Sequence, residues 1–189
     1  VTIGCYPGSF NPPTIAHLAI AEASLRQCEL ERLDLVVSRA PLGKEIVDLP
    51  RFEHRVAVLE AVARARPWLA VRVTDAKLLV DVAHGYDVLV VGADKWAQLN
   101  DAAWYGGSDA ARDDALARLP SVVVAPRPPW AVPPERELCG SDLLTLTRSV
   151  SSTGARVDQR EWMAPEAADF DARTGAWTDP ERYRRWLEG

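Results

Sequence analysis

Within its first 25 residues the sequence changes hydrophobic period once, and few folds accommodate that change. Val1 to Tyr6 reads as a short strand, whereas Leu18, Ala21 and Leu25 recur at helical spacing. Between them lies Gly8-Ser-Phe-Asn-Pro-Pro-Thr-Ile-Ala-His17, a turn that runs straight into the helix. Strand, glycine-containing turn and helix together form the opening unit of an α/β fold. The unit also attracts anions, because N–H groups of the turn and of the first helical turn converge on one spot. Thr14 stands at the N-cap position with His17 three residues later, so both side chains can reach an anion held there. Taken alone, the same pair reads as a helix cap beside a surface histidine.

The segment Tyr6-Pro-Gly-Ser-Phe-Asn-Pro-Pro-Thr-Ile-Ala-His17 resembles the signature of the nucleotidylyltransferase superfamily, Gly-(Ser/Thr)-Phe-(Asp/Asn)-Pro-x-(His/Thr)-x-Gly-His. The resemblance implies that Gly8, Ser9, Phe10 and His17 bind a nucleotide, and that His17 and Thr14 act on the transferring phosphoryl group. One position departs: Ala16 stands where the signature has glycine.

Further along, Leu33 to Val37 reads as a buried parallel strand, and the loop from Ser38 to Pro50 leaves the sheet edge where open α/β sheets bind ligands. Lys44 lies in that loop and is one of three lysines in the chain; its ammonium could neutralise phosphate charge or simply be solvated. Superfamily members similarly carry a lysine there, before a segment like Phe52-Glu-His-Arg55, which implies a catalytic role for Lys44. Arg51 to Arg66 reads as a helix with Val56, Leu59 and Val62 on its apolar face and His54 in a structural or solvated place. Leu69 to Thr74, Asp87 to Val91 and Ser121 to Ala125 read as strands, and Leu143 to Leu146 as a last one. Asp75 to Tyr86 has no clear assignment, with His84 a turn residue, and Asn100 to Leu119 holds a loop and a short polar helix.

Gly92 permits close backbone approach at a strand's carboxyl end, and Asp94 can accept hydrogen bonds from ribose hydroxyls or cap a helix. Gly92-Ala-Asp94 resembles the nucleotide-binding motif of the nicotinate and nicotinamide mononucleotide branches. Trp96 reads as an acceptor-stacking residue or as core. Ser151-Ser-Thr-Gly-Ala-Arg156 is a hydroxyl-rich turn entering a helix, with an arginine one turn in. It resembles the superfamily's second signature, Ile-Ser-Ser-Thr-x-x-Arg, which implies that Ser151, Ser152, Thr153 and Arg156 hold the β- and γ-phosphates. The tail, with Asp179-Pro180 as a helix start and Tyr183, Trp186 and Leu187 on its apolar side, is expected to pack on the sheet.

A length of 189 residues fits one buried α/β domain, Rossmann-like and mostly parallel with helices on both faces, residues 160–189 being a helical segment packed on it. A net charge of -5 argues against general nucleic-acid binding, and no apolar run reaches the roughly 20 residues a membrane span needs. Cys5, Cys28 and Cys139 read as reduced thiols of a cytoplasmic protein. A homo-oligomer stays open.

The resemblance implies transfer of AMP from ATP, with Mg²⁺, to a phosphate-bearing acceptor, nicotinate or nicotinamide mononucleotide, releasing pyrophosphate. No metal-ligating residue set is expected. Phosphopantetheine adenylyl transfer, suggested by Tyr6-Pro7 and Thr14, cytidylyl transfer, and nucleotide binding without catalysis stay open as alternatives.

Overall fold

A computed structural model of the chain describes residues 1–39, 49–140, 142–157 and 159–189. Among these, strands β1 (Ile3–Pro7), β2 (Arg32–Ser38), β3 (Leu69–Thr74), β4 (Val88–Gly92) and β5 (Ser121–Ala125) pair in parallel in the order β3-β2-β1-β4-β5. From β1 at the middle of the sheet the chain winds outward through β2 and β3, and crosses back to add β4 and β5 on the other side. The reversal lies between β1 and β4, where Gly4 faces Val88 and Cys5 faces Leu89. A crevice opens at such a switch point because the connections on its two sides leave in opposite directions.

Side chains alternate across the sheet and build two cores. On one face Tyr6, Leu35, Val37, Val88 and Val90 meet helices α1 (Ile15–Gln27) and α2 (Phe52–Arg64). On the other, Cys5, Val36, Leu89, Val91 and Val124 meet α3 (Leu79–Val82), α4 (Ala93–Leu99) and α5 (Asp109–Ala117). The α/β class with helices on both faces is thus observed. The buried face of α2 is Val58, Leu59 and Val62, with Val56 only half-buried. Asp34 breaks the apolar pattern of β2: its buried carboxylate accepts from Arg32 Nε at 2.8 Å and from the Tyr86 hydroxyl at 2.8 Å. Burial and then that carboxylate push the Tyr86 phenol above its ordinary range, so it stays a donor.

Leu143 to Leu146 is not a strand but the start of helix α6 (Leu143–Ser149). Only Leu143 and Thr147 of this helix are buried, a spacing of four that suits one helical turn against α1. The tail also differs from expectation, since it forms two helices, α8 (Pro165–Thr174) and α9 (Pro180–Glu188), whose main contacts are with α2 and each other rather than with the sheet. Asp179 caps α9 through the Arg182 N–H at 2.9 Å. Tyr183 is fully buried, and its hydroxyl meets His54 Nδ1 at 2.6 Å and accepts from the Arg51 N–H at 3.0 Å. His54 is therefore structural, one member of an aromatic cluster with Phe170, Tyr183 and Trp186.

Candidate active site

The turn after β1 is shaped by one unusual backbone angle. Phe10 has φ of 43°, a region that bulky side chains seldom adopt, and its buried ring packs edge-on to Tyr6 and His17 at 5.4 and 5.1 Å. Gly8 fits beneath it because a Cβ there would lie 2.7 Å from the Phe10 ring. The Gly8 N–H itself donates to Val36 O at 3.0 Å, so this glycine supplies space rather than a donor to the cleft.

Thr14 and His17 form a reciprocal capping box at the start of α1. The His17 N–H donates to Thr14 Oγ1 at 3.4 Å, and His17 Nδ1 accepts from the Thr14 N–H at 3.0 Å. Because Nδ1 accepts a backbone proton, the neutral ring carries its own hydrogen on Nε2. The cap thus also fixes the tautomer of the neutral ring.

The two motifs, far apart in sequence, meet. Ser152 Oγ donates to Pro12 O at 2.8 Å, and Arg156 Nη1 donates to Asn11 O. Arg156 Nη2 reaches Thr153 Oγ1 at 3.3 Å, and Ser151 Oγ accepts the Gly154 N–H at 3.0 Å at the start of α7 (Ser152–Val157). From behind, the tail clamps the same loop: Trp177 Nε1 donates to Asn11 Oδ1 at 2.6 Å, and the Ala164 N–H donates to Pro13 O at 2.9 Å. Trp177 is itself held by the buried Asp171 carboxylate, which accepts the Trp177 N–H at 2.7 Å and pairs with Arg160 at 2.9 Å.

A cleft of about 1050 Å³ opens over the carboxyl ends of the strands. Its wall includes Gly8, Ser9, Phe10, Thr14, His17, Gly92, Asp94, Ser151, Ser152, Thr153 and Arg156, so the expected nucleotide-binding residues are brought to one cavity. Asp94 is not the cap of α4, whose N-cap is Gly92; it sits in the first turn with its carboxylate folded over that glycine, where a Cβ would lie 2.7 Å from Oδ1. Ala16 is buried and also lines the cleft. Lys44 lies outside the described residues. Trp96 is placed away from the wall, half-buried against the second core with Arg136 stacked on its ring at 5.0 Å.

Among the wall residues, Arg39, Lys77 and Arg127 carry no signal that the sequence motifs reveal, whereas Phe52 and Arg55 belong to a segment the resemblance includes without giving it a role. Glu53 and Asp94 are the carboxylates lining the cleft among the described residues, so cations outnumber anions there although the whole chain carries a net charge of -5. Such a field draws anionic ligands in. The Tyr6 phenol at the floor is pushed above its ordinary range, first by burial and then by Asp94, with Arg127 opposing, and stays neutral.

A family model described as cytidylyltransferase-like matches residues 5–156. A protein of Salinibacter ruber is 31% identical over 136 residues, 68% of each chain, and one of Coprothermobacter proteolyticus is 27% identical over 165 residues, 81% of this chain and 80% of the other. Both are named probable nicotinate-nucleotide adenylyltransferase. The solved structure of Plasmodium falciparum nicotinic acid mononucleotide adenylyltransferase complexed with APC superposes with a TM-score of 0.66, covering 93% of this chain and 96% of that one at 13% identity. That likeness is one of fold.

Proposed function

The chain belongs to the cytidylyltransferase-like family, and on that premise we propose that it transfers the adenylyl group of ATP to nicotinate mononucleotide or its amide, releasing pyrophosphate. The observation that carries this reading is the meeting of the two motifs around one cation-rich cleft, joined by Ser152 to Pro12 and Arg156 to Asn11. The acceptor's phosphate oxygen attacks the α-phosphorus as the bond to the β-phosphate breaks. Pyrophosphate leaves with the electron pair, and no protein nucleophile takes part. Catalysis then consists of positioning and of stabilising charge in transit.

In this scheme His17 donates from Nε2 to an oxygen of the transferring group, with Thr14 fixing the ring that does so. Ser151, Ser152, Thr153 and Arg156 hold the departing phosphates, and Asp94 accepts from ribose hydroxyls. Gly8, Ser9 and Phe10 form the floor, and Lys44 contributes a further cation. Mg²⁺ offsets triphosphate charge when bound with it.

The test is pyrophosphate release by the purified protein with Mg²⁺, crossing ATP and CTP against nicotinate mononucleotide, nicotinamide mononucleotide and phosphopantetheine. Release with ATP and a pyridine mononucleotide is expected, and His17→Ala should lower turnover by about 100-fold or more, the effect of deleting one transition-state donor. Near-normal turnover in that variant removes His17 from the mechanism. Silence across the panel despite ATP binding removes the adenylyl-transfer reading itself.

A further inference from the structure

One corner of the cleft carries charge that the triphosphate scheme does not use. Arg39 follows directly on β2, and Arg55 stands in the first turn of α2; both line the cavity. Both stand over the Phe52 ring, the Arg55 guanidinium 5.4 Å and the Arg39 guanidinium 5.8 Å from its centre. Stacking on one ring restrains both guanidinium planes.

Arg55 Nε is buried and has no hydrogen-bond partner among the described residues. A donor taken out of water with no acceptor is unfavourable, and in a native protein it points to a water or ligand that completes it. The described acids nearby do not fill that role. Asp75 pairs with Arg39 at 3.5 Å, but 57% and 80% of the two side chains are exposed, so the pair is weak. Glu53 favours the charged form of Arg55, yet burial is the larger effect and lowers its basicity.

We infer that Arg55, with Arg39 over the same Phe52 ring, forms a second anion subsite that holds an acidic group of the acceptor, either its phosphate or its pyridine carboxylate. The inference rests on the adenylyl-transfer reading above. Joining two polyanions requires a cationic site for each. Arg156 and its turn serve one end of the cleft, and the guanidinium pair beside β2 and α2 serves the other. A planar fork of donors suits either acid group, since both present paired oxygens.

Two readouts test this. In NMR spectra of the arginine Nε–H groups, with Arg55 assigned from Arg55→Lys, the Arg55 signal should shift on addition of nicotinate mononucleotide and stay in place with ATP. A signal that moves with ATP alone, or with neither, overturns the subsite. Nicotinamide mononucleotide separates the sources: an equal shift assigns the phosphate, and no shift assigns the carboxylate. In steady-state kinetics Arg55→Met should raise the acceptor KM about tenfold or more and leave the ATP KM within about twofold, with Arg55→Lys intermediate. Equal rises in both KM values, or no rise, overturn it. Should Arg55→Met fail to fold, Arg39→Met carries the same comparison with a smaller shift. If the wild type releases no pyrophosphate while the Arg55 signal still responds, the adenylyl-transfer reading falls and the subsite stands. Turnover with an unresponsive Arg55 removes the subsite and leaves adenylyl transfer in place.

Discussion

Gly8 and Phe10 constrain each other. The ring occupies the place of the missing Cβ, and it cannot retreat because Tyr6 and His17 pack against its edges. Gly8→Ala should therefore lower stability by about 1–3 kcal/mol, the usual effect of overpacking, read as a lower urea midpoint. An unchanged midpoint would show that the ring is free to move. Residues of this kind are legible in the sequence because a motif names them. The cations are not, although a simple rule reaches them: Ser9, Arg39, Lys77, Asp94 and Arg127 each follow within three residues of a strand's carboxyl end. The switch-point argument, applied to every strand rather than only to those carrying a motif, finds Arg39, Lys77 and Arg127. Arg55 lies in a segment the resemblance reaches, Phe52-Glu-His-Arg55, but its place on the cleft wall needs the fold, since the resemblance does not tell which side of α2 faces a cleft.

Among the elements, the strands are readable because buried parallel strands are continuous apolar runs bounded by polar turns. The run at Leu143 to Leu146 is too short for periodicity to decide between strand and helix, and contact with α1 settles it as helix. The tail is legible at Asp179-Pro180 and not at α8; the segment between α8 and α9 is ordered by side chains of α8, Thr174 Oγ1 accepting from the Ala176 N–H and the buried Asp171 carboxylate from the N–H groups of Trp177 and Thr178. That carboxylate holds Trp177, and Trp177 holds Asn11. Trp177→Phe keeps an aromatic ring and deletes the donor, leaving the buried Asn11 oxygen unpaired. A stability loss of about 1–3 kcal/mol is expected, together with reduced turnover well below the unfolding temperature. Full activity there would mean that the loop after β1 keeps its shape without this clamp.

At the scale of the whole molecule, the three thiols report on different layers. Cys139 is exposed, Cys28 half-buried and Cys5 fully buried in β1, where burial and the Asp34 charge push its thiol up to about 12. Only the thiolate alkylates readily, so at neutral pH Cys139 should react quickly and Cys5 only through global opening of the sheet. Mass-resolved alkylation against time checks this, and Cys5 reacting at the pace of Cys139 would show that β1 opens locally. The meeting of the two motifs has a further consequence for how the protein is made. Residues 8–14 are translated well before the groups that close around them: Ser152 follows its partner Pro12 by 140 residues, and Trp177 follows its partner Asn11 by 166. A nascent chain that has not yet reached Ser152 can hold much of the sheet while the loop after β1 has no outer wall. Emergence of α7 and Trp177, rather than formation of the first βα unit, is then the event that completes the cleft wall.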